Sequence, residues 1–256
     1  MLLAHVLQRP RIKLYMDLDR PASPAERTAY RELVERAAAH EPVQYLIGSA
    51  PFFSLSFEVD RRVLIPRPST ETLVEHIVQH ARRTPGFVNA LIADIGTGSG
   101  AIAVSLAKSL PDCRVIATDV SEDALELARR NAERHGVADR VELRRGATFE
   151  PLVGLRFQYL VSNPPYISDA EWAQVPPNVR HEPVGALRGG SDGLDVLRPL
   201  IAGAHEFLAH PGQLVLEIAA SQQQAVLALA AGNERLKNPR VLPDHERLPR
   251  MLLADM

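Results

Sequence analysis

The chain has 256 residues, of which 46% are hydrophobic and 23% charged, and its formal net charge is −2. This composition excludes a disordered chain, and a near-neutral charge excludes a polycation while leaving a local basic face open. With Cys113 as the only cysteine, no internal disulfide can form and a reducing cytoplasm is the expected compartment.

The length suits one ordinary domain and a small one. No apolar run is long enough to span a membrane, and the opening MLLAHVLQ lacks the apolar core and cleavage site of a signal peptide. Residues 1–48 read as helical, with Leu2, Leu3, Val6 and Leu7 on one face. Ser23, Pro24 and Glu26 make a helix start with a capping box, followed by a stripe of Tyr30, Leu33, Val34, Ala37 and Ala38 that Pro42 ends. In FFSLSFEVD, Phe53, Leu55, Phe57 and Val59 alternate with polar residues, which predicts a half-buried strand paired as a hairpin with RRVLI. Ser69 is then expected to cap a helix to about Arg83, with Leu73, Val74, Ile77, Val78 and Ala81 inward. RRTPGF is the best linker, which divides the chain into a helical region 1–50, a hairpin and linker helix 51–85, and a further domain 86–256.

From residue 90 strand and helix alternate: LIADI, then GAIAVSLAKSL, RVIAT, SEDALELARRNAERHG, RVELR, FQYLVS, a long helix DGLDVLRPLIAGAHEFLAHPG, QLVLEI, SQQQAVLALAA and two final strands. Such alternation predicts an α/β fold with a Rossmann-like parallel sheet covered by helices on both faces.

Chemistry enters first at ADIGTGSGAIAVSLA. Gly96, Gly98 and Gly100, with Thr97 and Ser99 between them, join a buried strand to a helix, the default ligand crevice of a doubly wound sheet. Asp119 ends the next strand, where an acid binds ribose hydroxyls. The G-x-G-x-G spacing is not that of dinucleotide binders, and no basic residue lies in the turn. A nucleoside without phosphate, S-adenosylmethionine, is therefore the expected cofactor. Asp94 either orients the turn or is a solvated strand-end acid.

The second site is LVSNPPYISDAEW, at the end of the fourth strand of the sheet. Two prolines remove two donors and stiffen the turn, leaving acceptors at the Asn163 side-chain oxygen and the Pro164 carbonyl. Two acceptors suit a planar NH2 group, with Tyr166 covering it and Pro165 structural. Both turns belong on one rim, so a methyl donor would face an amide clamp. Positioning and a dry pocket then supply the rate, and no general base is required.

At these residues the chain resembles the release-factor glutamine methyltransferases, through EPVQYLIG, VLIPRPSTETLVE, DIGTGSGAIAVSLA, VSNPPYI, HEP and GGSDGLDVLRPLI. The resemblance implies a small N-terminal helical domain, here short of its first helices, a β-hairpin linker, and a Rossmann-like domain whose last strand is antiparallel. It implies methylation of the glutamine side-chain amide in the Gly-Gly-Gln loop of class-one peptide chain release factors. Gly96 to Gly100 would wrap the methionine part of the cofactor, Asp119 and Thr148 would hold the nucleoside, and Asn163, Pro164, Pro165 and Tyr166 would hold the glutamine. Two positions depart from the pattern. Ala147 stands where an acid usually serves the adenine side, so that side is weaker or rests on backbone and Phe149. LEIA, Glu217 to Ala219, stands where LEIG is usual.

Nine histidines show no metal-ligand pairing. His181 and Glu182 read as loop anchors, Arg67 as a substrate-facing charge or a tether, Trp172 as a stacking or a packing residue, and RRNAERH as a solvated helix face. The rival functions are a ribosomal-protein glutamine methyltransferase, a nucleic-acid adenine methyltransferase, which would need a basic face, and a non-catalytic nucleoside-binding scaffold.

Overall fold

The computed structural model describes residues 1–84 and 87–256. The expected boundary at 85/86 and the centre of the RRTPGF linker lie outside the described residues. Four helices open the chain: α1 (Leu2–Val6), α2 (Arg11–Met16), α3 (Pro24–Ala38) and α4 (Val43–Ile47). A hairpin of β1 (Ser49–Phe52) and β2 (Leu55–Glu58) leads to α5 (Pro68–Arg83). Then come β3 (Leu91–Ile95), α6 (Ala101–Ser109), β4 (Arg114–Asp119), α7 (Glu122–Arg134), β5 (Val141–Arg145) and β6 (Phe157–Ser162). The chain ends with short α8 (Asp169–Trp172), α9 (Leu197–Phe207), β7 (Leu208–Glu217), α10 (Gln223–Ala231), β8 (Lys237–Pro243) and β9 (Pro249–Asp255).

The seven-stranded sheet has the order β5-β4-β3-β6-β7-β9-β8. Its neighbours pair in parallel from β5 to β7, and β9 runs antiparallel to both β7 and β8. Strand residues alternate between two cores. Ile92, Val115, Tyr159 and Val161 face α5, α6, α7 and the hairpin. Ala93, Ile116 and Leu160 face α9 and α10. Strand order reverses between β3 and β6, so their carboxyl ends open the crevice in which such sheets bind ligands. This is the expected Rossmann-like architecture, with its reversed last strand and separate hairpin. No described helix is long and apolar enough to cross a membrane.

The local signals explain most elements. Ser23 Oγ accepts from the Glu26 N–H at 3.2 Å and Glu26 returns a 2.7 Å bond to the Ser23 N–H, the complete capping box. Ser121 caps α7 by accepting from the Ala124 N–H at 3.2 Å. The expected inward face of α5 is buried, and Leu197, Leu200, Ile201 and Ala204 form the buried face of α9. The α3 stripe is not: Leu33 and Ala37 are half-buried, whereas Tyr30 and Val34 are exposed.

Three local expectations fail. The hairpin closes between residues 52 and 55, with Phe53 and Ser54 at φ of 48° and 61°. Both central residues of such a turn need positive φ, and Asn-Gly usually supplies it. Here an outside bond from the Phe53 N–H to Glu71 Oε1 at 2.9 Å helps hold the turn. With β1 on the free edge of β2, RRVLI has no partner there and runs as a loop. Ser69 does not cap α5; Arg67 holds that position, Pro68 is the first helical residue, and the Ser69 hydroxyl turns to Glu217. The long helix begins only at Leu197, and LAHPG joins β7 because Leu208 turns extended.

Candidate active site

A cavity of about 340 Å³ opens at the carboxyl ends of β3, β4 and β6, a size that suits a small organic ligand. Gly96, Gly98, Asp119, Thr148, Asn163, Pro164 and Pro165 line it, together with Arg62 to Leu64 from the loop after the hairpin and Pro183, Gly185 and Ala186 opposite. The two turns singled out in the sequence thus meet on one hollow. Asn163 and the prolines belong to the strand-end turn of β6, next to β3 in the sheet.

Gly96, Gly98 and Gly100 all have positive φ, at 74°, 54° and 79°, where other residues are strained. Gly96 and Gly98 line the hollow, while Gly100 packs on α7, where an added Cβ would lie 3.1 Å from that of Ala128. The Thr97 side chain is buried and donates to Asp94 Oδ2 at 2.6 Å. Ser99 is buried too, its carbonyl accepting from Asn131 Nδ2 at 2.8 Å. Thr97, Ser99 and Gly100 therefore shape the turn and do not form the cavity wall. Asp119 spans both sides of the crevice, accepting from the Gly98 N–H at 2.9 Å and the Ser121 N–H at 3.0 Å.

The Asp94 question is answered by geometry. Its Oδ2 also accepts from the Ala103 N–H at 3.0 Å, so it ties the turn to the start of α6. Burial pushes its carboxyl up to about 7, against the pull of the Thr97 and Ala103 bonds. Oδ1 has no partner among the described residues.

The elbow at 163–166 is held from several sides. Asn163 Nδ2 donates to Thr70 Oγ1 at 3.0 Å, and Thr70 Oγ1 donates to Glu217 Oε2 at 2.6 Å. The Pro164 carbonyl and Asn163 Oδ1 accept no hydrogen bond among the described residues. Gln222 Nε2 donates to the Tyr166 carbonyl at 3.0 Å and to the Gly193 carbonyl at 2.9 Å. The GGSDG segment packs on the same backbone, and a Cβ at Gly193 would lie 2.3 Å from the Tyr166 carbonyl oxygen. Tyr166 itself departs from expectation. Its ring packs on the α9 side core and its hydroxyl donates to Glu217 Oε1 at 3.3 Å, so it does not line the hollow. Burial and the adjacent Glu217 push the phenol up, which keeps its proton in place. Burial likewise raises Glu217, against the Thr70 bond and the Arg250 charge.

A clasp joins the loop before α5 to the loop at Glu182. Glu182, 3% exposed, accepts from the Ile65 N–H at 3.0 Å and from Arg67 at 2.5 Å. Arg67 is thus a tether, and Glu182 the anchor expected of it. Phe149 does not form the cavity wall: it is buried, stacks on Phe207 at 4.5 Å between centroids, and belongs to the α9 core. Gly146, Ala147 and Thr148 form that wall instead, Thr148 at a φ of 44° that β-branched residues rarely adopt. Trp172 carries the Arg188 guanidinium 5.5 Å over its ring and does not reach the hollow.

Four supporting residues escaped the sequence reading. Asn131, inside the run taken for a solvated face, is fully buried. Its amide exchanges bonds with the Glu58 N–H and carbonyl at 2.7 and 3.0 Å and grips Ser99, so it joins hairpin to glycine turn. Thr70, Glu217 and Gln222 are the others. A polar residue on an apolar helical face, as Asn131 is beside Leu127 and Ala128, was the available signal.

A doubly wound sheet with a reversed last strand and a ligand hollow at its glycine turn defines a Rossmann-like methyltransferase. Residues 68–181 match the family model described as the methyltransferase small domain. The fold also matches a solved methyltransferase from Pyrococcus furiosus, 21% identical, with a TM-score of 0.59 over 90% of this chain and 98% of that one. Residues 1–48 match the PrmC N-terminal domain. The release factor glutamine methyltransferase of Geobacter sulfurreducens is 46% identical over 89% of this chain and 78% of its own length. That of Moorella thermoacetica is 45% identical over 97% of this chain and 86% of its own length. The chain belongs to the release factor glutamine methyltransferase family and is a methyltransferase.

Proposed function

We propose that the chain transfers a methyl group from S-adenosylmethionine to the side-chain amide nitrogen of the glutamine in the Gly-Gly-Gln loop of class-one peptide chain release factors. Family membership supports the reaction class. The observation that carries the rest is that Asn163 and Pro164, whose Oδ1 and carbonyl accept no hydrogen bond among the described residues, line the same hollow as Gly96, Gly98 and Asp119. The hollow suits the cofactor: Asp119 offers oxygens to a ribose, Gly96 and Gly98 let backbone approach, and Gly146 to Thr148 would flank the base. When bound there, the cofactor supplies an electrophilic methyl group on a sulfonium. Asn163 and Pro164 accept both amide protons, which fixes the nitrogen and favours the positive charge it gains. Tyr166 acts through the elbow by bracing it. The proposed reaction places the protein in the cytoplasm, in keeping with its single, buried Cys113.

The test offers labelled donor with purified release factor, its Gln→Ala loop variant, ribosomes or DNA. Label should appear on the release factor alone and vanish in the loop variant. Asn163→Ala should lower the rate more than about tenfold, as losing a polar contact of roughly 2–4 kcal/mol would. Label on ribosomes or DNA instead would overturn the reading.

A further inference from the structure

We propose that Thr70 and Glu217 are positioning residues that fix which face of the Asn163 amide meets the substrate, and so make the site select a carboxamide over a carboxylate. The inference rests on the function proposed above and adds its specificity device. Glu217 is fully buried at the end of β7. Three hydroxyls converge on it: Thr70 at 2.6 Å, Ser69 at 3.2 Å and Tyr166 at 3.3 Å. All three hydroxyls donate to Glu217, and with the Arg250 charge they favour its carboxylate against burial; a carboxylate only accepts hydrogen bonds, whereas a hydroxyl has one proton and two lone pairs. Thr70 therefore gives its proton to Glu217 and can only accept at its other side. The Asn163 atom 3.0 Å from Thr70 must be the donor, Nδ2.

An asparagine amide can otherwise turn over with little change of shape. Here the order of donors along Asn163, Thr70 and Glu217 commits Nδ2 to Thr70 and leaves Oδ1 without a partner among the described residues, on a residue that lines the hollow next to Pro164. Two acceptors there welcome an NH2 group. They repel a carboxylate, whose oxygens would face oxygens with no proton between them. The selection does not come from Asn163 alone, since a turned amide would offer the carboxylate a donor. It comes from Thr70, 93 residues away in sequence and carried by α5, and from Glu217 on the sheet.

The test uses the full chain with the release factor and, as competitor, the same factor with its loop glutamine changed to glutamate. For wild type, Thr70→Val, Thr70→Ser and Glu217→Gln, methyl transfer gives kcat and KM, and the competitor gives an inhibition constant. Thr70→Val removes the hydroxyl at nearly constant volume. It should lower kcat about tenfold, the loss of roughly one well-placed hydrogen bond, and strengthen inhibition by the glutamate factor at least about fivefold. Thr70→Ser should restore both. Glu217→Gln, which can donate to Thr70 and so reverse the order, should shift both in the direction of Thr70→Val, and it carries the test if Thr70→Val does not fold. The inference is overturned if wild type is active and the variants leave the glutamate inhibition constant unchanged, or if Thr70→Ser loses as much as Thr70→Val. An inactive wild type would instead indict the proposed function.

Discussion

The three glycines of the turn make opposite demands, and a pair of alanine substitutions separates them. Gly98→Ala and Gly100→Ala each force a side chain into the left-handed region, which costs about 1–2 kcal/mol. At Gly98 the new methyl meets nothing within 4 Å, and the residue lines the hollow. At Gly100 it lies 3.1 Å from the Ala128 Cβ and 3.3 Å from its Cα, on the side away from the hollow. Overpacking against α7 adds about 1–2 kcal/mol, so Gly100→Ala should lose about 2–4 kcal/mol of stability and Gly98→Ala about half that. For a chain of this size the melting temperature should drop by roughly 6–12 °C at Gly100 and 3–6 °C at Gly98. Cofactor affinity should invert the order. A methyl in the hollow costs about 1–3 kcal/mol of binding, roughly five- to 150-fold in Kd, whereas Gly100→Ala should stay within about threefold. Scanning calorimetry and titration with S-adenosylmethionine read the two effects separately. Normal cofactor binding by Gly98→Ala would refute the placement of the ligand at this turn.

Three further perturbations follow from the same geometry. Asp94 holds a proton up to about 7 in the fold but releases it at 3.8 when unfolded, so stability falls as pH rises between these values and is level above them. From pH 5 to 8 the wild type should lose about 3 kcal/mol that Asp94→Asn does not; parallel urea midpoints for the two would contradict this. Gly193→Ala would drive a methyl into the Tyr166 carbonyl, 2.3 Å away; kcat should fall about tenfold or more while cofactor Kd, read by titration, holds. Glu182→Ala strands the Ile65 N–H and Arg67; because Arg67 is 30% exposed, the cost should be about 2–3 kcal/mol rather than that of a fully buried pair, visible as a lower melting temperature.

What the sequence made legible was local. The stripe of α5, the strand-helix alternation and the glycine turn each depend on residues within one or two turns of chain, so their signals survive without knowledge of the fold. The hairpin register was lost because Phe53 and Ser54 adopt positive φ without a glycine or asparagine to announce it. Phe149 was misplaced because one aromatic beside a cavity loop can face either way, and only the stack with Phe207 decides. Asn131 and Glu217 were invisible for another reason: their partners lie 73 and 147 residues away. A buried polar side chain is defined by its partner, and no periodicity encodes that.

The supports of the site fall into two sets with little in common. Asp94, Asp119 and Asn131 hold the glycine turn, and their bonds run to α6, α7 and the hairpin. Thr70, Glu217, Gln222 and the GGSDG segment hold the elbow, through α5, β7 and the loop before α9. One buried side-chain bond joins the two turns directly, from Ser162 Oγ to the Ile95 carbonyl at 2.5 Å. Rigid supports on neighbouring strands fix the distance between the two turns more firmly than either loop could alone. They also let each half vary without displacing the other. That independence lets the wall of the hollow at Gly146, Ala147 and Thr148 differ without moving the elbow. Energies of substitutions in the two sets should add, because they share no partner.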